Sequence, residues 1–138
     1  MLCRAIEYAY TKGCRRFMTG GAVGFDTEAA RAVIKFRITH PDASLVLALP
    51  CENQSERWSA RQKTNYEYVL AAADEVIYVS EEYTPQCMKK RNQMLAEAAD
   101  ILIAYVCRSN SGAAQTVRMA TELGREIYNL YPALDKSF

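Results

Sequence analysis

At 138 residues the chain has the length of one domain, with room for a substantial core. Half of its residues are apolar and 24% are charged, an ordinary globular composition. Its 17 basic and 16 acidic residues give a formal charge of +1, so there is no basic surplus to hold nucleic acid or an anionic membrane.

Five cysteines (Cys3, Cys14, Cys51, Cys87, Cys107) are scattered without a CxxC pair, and His40 is the one histidine. That set makes a poor zinc site, so no metal is expected. Free thiols fit a reducing, cytoplasmic setting. No signal-peptide pattern is expected, and no apolar run approaches the ~20 residues of a membrane span.

Helical and strand periods alternate along the chain. Leu2, Ala5, Ile6 and Ala9 recur at helical spacing up to Gly13. Cys14 to Thr19 reads as a short strand ending at glycines. A helix follows from about Asp26, with Ala30, Val33, Ile34 and Ile38 on one face, and His40-Pro41-Asp42 breaks it. Leu45 to Leu49 is a continuous apolar run closed by Pro50, the pattern of a strand covered on both faces. A polar loop from Cys51 to Ser55 leads to a helix over Glu56 to Ala73. Then come a strand over Glu75 to Val79, a helix over Pro85 to Ala98 and a strand over Ile101 to Val106. A loop from Ser109 to Gly112 opens a helix through Leu123, capped by Gly124, and Glu126 to Leu130 is the last strand. Asp74 and Asp100 occupy matching helix-to-strand junctions. This alternation calls for an α/β fold in one domain, a mainly parallel sheet with helices on both faces.

In such sheets ligands bind beyond the C-terminal ends of the strands. Gly20-Gly21-Ala22-Val23-Gly24 occupies the first such turn. Glycines there either let the backbone approach a phosphate at a helix N-terminus or serve helix–strand packing alone. Asp26 is placed to cap the next helix or to accept from a ribose hydroxyl. In the second loop Gln54 supplies hydrogen-bonding groups, and Trp58 either packs in the core or stacks on a base. Arg91 and Asn92 fall in or beside an apolar helical stripe (Met88, Asn92, Leu95, Ala99), so both need partners. Arg91 meets that need with a structural carboxylate or an anionic ligand. Ser111, Gly112 and Thr116 open the fourth loop's helix, as a plain N-cap or as a second phosphate cradle.

Taken in order, several motifs resemble the SLOG superfamily, and most closely its bacterial YpsA-like branch of small domains. They are Thr19-Gly20-Gly21-Ala22-x-Gly24-x-Asp26-x-x-Ala29-Ala30, Leu49-Pro50-Cys51 with Gln54 and Trp58, Tyr83 to Cys87, Arg91-Asn92-x-Met94 and Ala99-Asp100. The superfamily includes the Lonely Guy phosphoribohydrolases and the DNA-processing protein of natural transformation. The resemblance implies a Rossmann-like three-layer α/β/α fold. It also implies a pocket for a nucleotide or ADP-ribose-like ligand formed by Gly20, Gly21, Ala22, Gly24, Asp26, Gln54, Trp58, Arg91, Asn92, Ser111, Gly112 and Thr116.

Two departures from the pattern matter. Family members begin with a strand carrying Thr-Gly-His-Arg, whereas this sequence starts in the following helix, so one central strand is expected to be lacking. A sheet edge or groove left in that way is expected to be covered by a second copy in a homodimer. The enzymes' glutamates in their second glycine-rich motif align with Arg118 and Met119. Ligand binding is therefore expected to be retained and base release at an enzyme-like rate is not, so no catalytic residue is assigned. The leading expectation is a sensor or regulatory module. A nucleotide hydrolase is the main alternative, and single-stranded DNA binding is disfavoured by the charge balance.

Overall fold

The computed structural model describes residues 2–106 and 111–130. The order is α1 (Leu2–Thr11), β1 (Arg16–Thr19), α2 (Phe25–Thr39), β2 (Ser44–Cys51), α3 (Ala60–Ala72), β3 (Glu75–Ser80), α4 (Cys87–Ala98), β4 (Ile101–Ala104), α5 (Gly112–Glu122) and β5 (Glu126–Asn129). Strict alternation gives the Rossmann-like α/β class that the periods predict. No helix among the described residues is long and apolar enough to cross a membrane.

Leu45 to Leu49 form the centre of the molecule, because β2 is paired on both sides and covered on both faces. It runs parallel to β1 and to β3, with Leu47 opposite Thr19 and Val76. Every β2 residue after Ser44 is buried. Around Leu45, Leu47 and Leu49 gather Ile6, Ala30, Val33, Tyr66 and Val69. On one face α1 packs on α2 and α2 on α3, while α4 and α5 pack together, with α4 also against β2. Right-handed crossovers put those two helix groups on opposite faces.

The strands make two parallel sheets rather than one: β1-β2-β3, and β4 beside β5. Helix α1 ties them together. It packs on α2 and also reaches β5, where Tyr8 donates to Glu126 at 2.5 Å and its ring lies 5.8 Å from that of Tyr128.

Three boundaries differ from the periodicity. The helix expected from Glu56 begins at Ala60, because Ser59 and Gln62 form a reciprocal capping box that fixes the first turn there. Strand β2 continues through Pro50 to Cys51, which is paired with Ser80, and β4 stops at Ala104. The two junction aspartates also diverge. The Asp74 carboxylate accepts from the Leu45 N–H at 2.7 Å and from Arg37 at 2.6 Å, so it locks α3 and α2 to the start of β2. Asp100 instead lies along the cavity described next.

Candidate functional site

Beyond the C-terminal end of β1 the chain turns through Gly20–Gly24 into α2. Gly24 is the N-cap residue at φ 85° and ψ −123°, a conformation that glycine adopts without a side-chain penalty. Asp26 therefore does not cap the helix. It lies in the first turn and reaches back, its Oδ2 accepting from the Ala22 N–H at 3.2 Å. Thr27 donates to the Ala22 carbonyl at 2.9 Å, so the turn is held from both sides.

Arg91 enters this turn from α4. It is only 5% exposed, donates to the Gly20 carbonyl through Nη1 and to Asn92 Oδ1 through Nε at 2.9 Å. Asn92 in turn donates to Gln115 Oε1 at 3.0 Å and to the Gly112 carbonyl at 3.4 Å. One buried chain of side chains thus joins the loop after β1 to the start of α5. Gly20 is required for this approach: a Cβ there would stand 2.3 Å from Arg91 Nη1 and 3.0 Å from Asp26 Oδ2. Arg91 and Asp26 flank Gly20 without closing into a direct ion pair.

Burial pushes the Asp26 carboxyl above the usual carboxylate range, against the opposing pull of Arg91 and the Ala22 N–H. Burial also lowers the Arg91 pKa, with Asp26 acting in the other direction. A carboxyl raised in this way holds its proton in the folded state at pH values where the unfolded chain, near 3.8, has already released it. Stability from this group therefore falls as pH rises from the unfolded value through the raised folded one. Asp26→Asn keeps an acceptor for Ala22 and abolishes that fall. The variant is expected to gain stability relative to the parent between about pH 4 and about pH 7, as read by denaturant midpoints across that range. A constant difference at every pH would show that Asp26 titrates as it does in the unfolded chain.

The remaining residues divide between two places. Gln54 donates to the Gly21 carbonyl at 3.3 Å and to the Tyr66 hydroxyl at 3.1 Å. Trp58 packs edge-on against Tyr66, with ring centroids 5.0 Å apart and planes at 71°. These two side chains brace the back of the glycine loop from the β2–α3 side. Ser111 caps α5 by accepting from the Ala114 N–H at 3.0 Å, and Thr116 donates to Gly112 at 3.1 Å. Ser109 and Asn110, expected in the same loop, lie outside the described residues.

Gly20, Ala22, Asp26, Arg91, Asn92, Gly112 and Thr116 all line a single cavity of about 730 Å³ between β1 and β4. Gly21, Gly24, Gln54, Trp58 and Ser111 do not line it. Sequence reasoning left Gln115 and Tyr66 out of the site, although each completes a side-chain link in it. Gln115 lies one helical turn after the Ser111 cap, a spacing that puts both at the same end of α5. Phe25 and Tyr105 stack at the rim, with centroids 6.1 Å apart and planes at 22°.

Two glycine-containing strand-to-helix loops, clipped together where the strand order reverses, define a doubly wound domain with its crevice at the switch point. The chain belongs to the YpsA family, described as the YspA SLOG family, whose model matches residues 1–131. It is similar to the uncharacterized SPbeta prophage-derived protein YoqJ of Bacillus subtilis (strain 168). The two are 34% identical over 146 aligned residues, which cover 95% of this chain and 85% of that protein. It is also similar to UPF0398 proteins of Bacillus thuringiensis (strain Al Hakam) and Bacillus cereus (strain AH187). Each is 26% identical over 121 residues, covering 86% of this chain. The chain spans 66% of the length of those two relatives.

Proposed function

We propose that the domain binds a nucleotide or nucleotide-derived anion, of the AMP or ADP-ribose kind, at the C-terminal end of β1 and acts as a ligand-sensing module. The observation that carries this is Arg91. It is nearly fully buried, it lines the cavity, and its Nη2 has no hydrogen-bonding partner among the described residues. A buried guanidinium with donors to spare is suited to a phosphate. The N-termini of α2 and α5, joined through Arg91 and Asn92, add two positive dipole ends at the same place. Asp26 supplies an acceptor for a sugar hydroxyl.

Binding is favoured over hydrolysis by what α5 carries. Arg118 is exposed, and neither it nor Met119 lines the cavity. Asp26, the described acid whose carboxyl burial has raised, already accepts from the loop backbone.

Thermal denaturation with AMP, ADP, ADP-ribose and inorganic phosphate tests the reading. A ligand that binds only the folded state at about 100 times its Kd stabilises by about 2.7 kcal/mol, a shift of several degrees for a domain of this size. The expected result is such a shift for a phosphate-bearing nucleoside. It should be retained in Lys89→Ala and Lys90→Ala, and reduced in Arg91→Lys when each variant is compared with its own unliganded midpoint. Equal shifts in all three variants would reduce Arg91 to general electrostatics. Steady release of free adenine from AMP would replace sensing with hydrolysis.

A further inference from the structure

The cavity is much longer than the site at its C-terminal end. All four residues of β1 and all four of β4 line it, from Arg16 to Thr19 and from Ile101 to Ala104. Gly13 and Asp100 stand at one end, and Gly20, Asp26 and Arg91 at the other. Leu2, Ile6 and Ala9 of α1 with Ala29 and Val33 of α2 cover one face, and Met88, Leu95 and Ala98 of α4 cover the opposite one. The space therefore has two strand edges for sides and apolar helices above and below.

Both sides are unfinished. Among the described residues β1 pairs only with β2, and β4 only with β5. Each strand thus turns a row of unpaired N–H and C=O groups toward the other. Contrast with β2 shows the consequence. Paired on both sides, β2 is buried at every residue but its first, whereas Phe17, Met18, Ile101, Leu102 and Ile103 are apolar and only half-buried. Helix α1 spans the gap from α2 to β5, in the position of a crossover helix lying over a strand.

We propose that this slot is a docking site for one extended polypeptide strand of about four or five residues, running parallel to β1 and β4 and apolar on both faces, which joins the two sheets into one. The chemistry of the walls selects that occupant. A strand is the element that satisfies two facing ladders at once. A helix has no backbone groups to give, being saturated internally, and needs about 10 Å of width. Water would leave the apolar side chains of both strands wet. Apolar residues are required on both faces because Ile6, Ala9 and Val33 meet one and Leu95 and Ala98 the other. This site is separate from the anion site, which involves only the cavity's C-terminal end.

The probe is a synthetic peptide, acetyl-Lys-Val-Ile-Val-Val-Ala-Lys-amide, added to the full chain. Its control has proline in place of the central valine, which cannot complete a ladder. A second format joins the same segment ahead of Met1 through a short Gly/Ser linker, raising its effective concentration to the millimolar range. The expected result is a dose-dependent rise in the thermal midpoint with the valine peptide and in the fused protein. Hydrogen exchange should slow about tenfold or more at the amides of β1 and β4, where new hydrogen bonds form. The proline control should change neither.

No protection of β1 and β4 in either format overturns the proposal. So does equal protection by the proline peptide. Protection of the same amides by AMP alone would give the slot to a small molecule. Protection that appears with self-association and without peptide would give it to a second copy. Failure of the anion reading would leave the β1 and β4 protection untouched, and failure of the strand reading would leave any shift with AMP untouched.

Discussion

Arg91→Ala is expected to cost about 3–5 kcal/mol of folding stability, the scale of breaking a buried, hydrogen-bonded charge site. Three consequences add up. The Gly20 carbonyl and Asn92 Oδ1 each lose a charge-assisted donor in a place where water is scarce. Asp26 loses the positive charge that opposes its desolvation, so its pKa climbs further. Removing the long side chain also leaves a hole beside Gly20. Chemical denaturation of the variant and parent measures the loss. A double-mutant cycle with Asp26→Asn should show a positive coupling, because neutralising Asp26 removes one of the three costs. A loss below about 1 kcal/mol would mean that the buried chain from Gly20 to Gln115 contributes no more than a surface contact does.

That chain also explains what the sequence does and does not disclose. The class of fold is legible because it is written locally. The 3.6-residue and continuous apolar patterns around Ala30 and Val33 and around Leu45 to Leu49 give a helix and a doubly covered strand without further information. The glycine turn is legible for the same reason, since Gly24 must adopt a positive φ at the start of α2. Arg91 shows itself only as a polar residue beside an apolar stripe. The two readings left open for it, a structural partner or an anion, prove compatible: Nη1 and Nε serve the fold while Nη2 stays uncommitted. Its partner Gly20 lies 71 residues away, a separation that no local pattern encodes.

The split sheet is hidden for a related reason. Period and composition report whether a residue faces a core, and Ile101 to Ile103 are equally apolar whether β4 has one neighbour or two. Pairing is a property of the assembled sheet. The start of α3 was readable, by contrast, because Ser59-x-x-Gln62 is a capping-box spacing. The polar period continuing back to Glu56 masks it. Trp58 belongs with this case. Lying before the capped helix, it is turned against Tyr66 and braces the glycine loop through Gln54 instead of lining the cavity.

Gly21→Ala and Gly24→Ala are expected to separate two roles of the glycine turn. Both residues have positive φ, 70° and 85°, so a Cβ costs roughly 1–2 kcal/mol of backbone strain at each. Gly24 has nothing within 4 Å of that Cβ, and its variant should lose little more than the strain. Gly21 is different. Its Cβ would stand 2.3 Å from Cδ2 of Leu49, a side chain with no exposure at the centre of the core. Relief requires moving either Leu49 within β2 or the loop, and the loop is tied down by Gln54. Overpacking of this kind adds about 1–3 kcal/mol, so Gly21→Ala should lose about 2–5 kcal/mol in all. The ligand response should divide the other way. Gly24→Ala strains the exposed N-cap of α2, whose free N–H groups are offered to the anion, so it should blunt the thermal shift given by AMP while leaving the unliganded midpoint nearly in place. A Gly21→Ala variant as stable as Gly24→Ala would show that the loop stands off from Leu49 in solution, and the close approach that positions Gly20 beneath Arg91 would have to be abandoned.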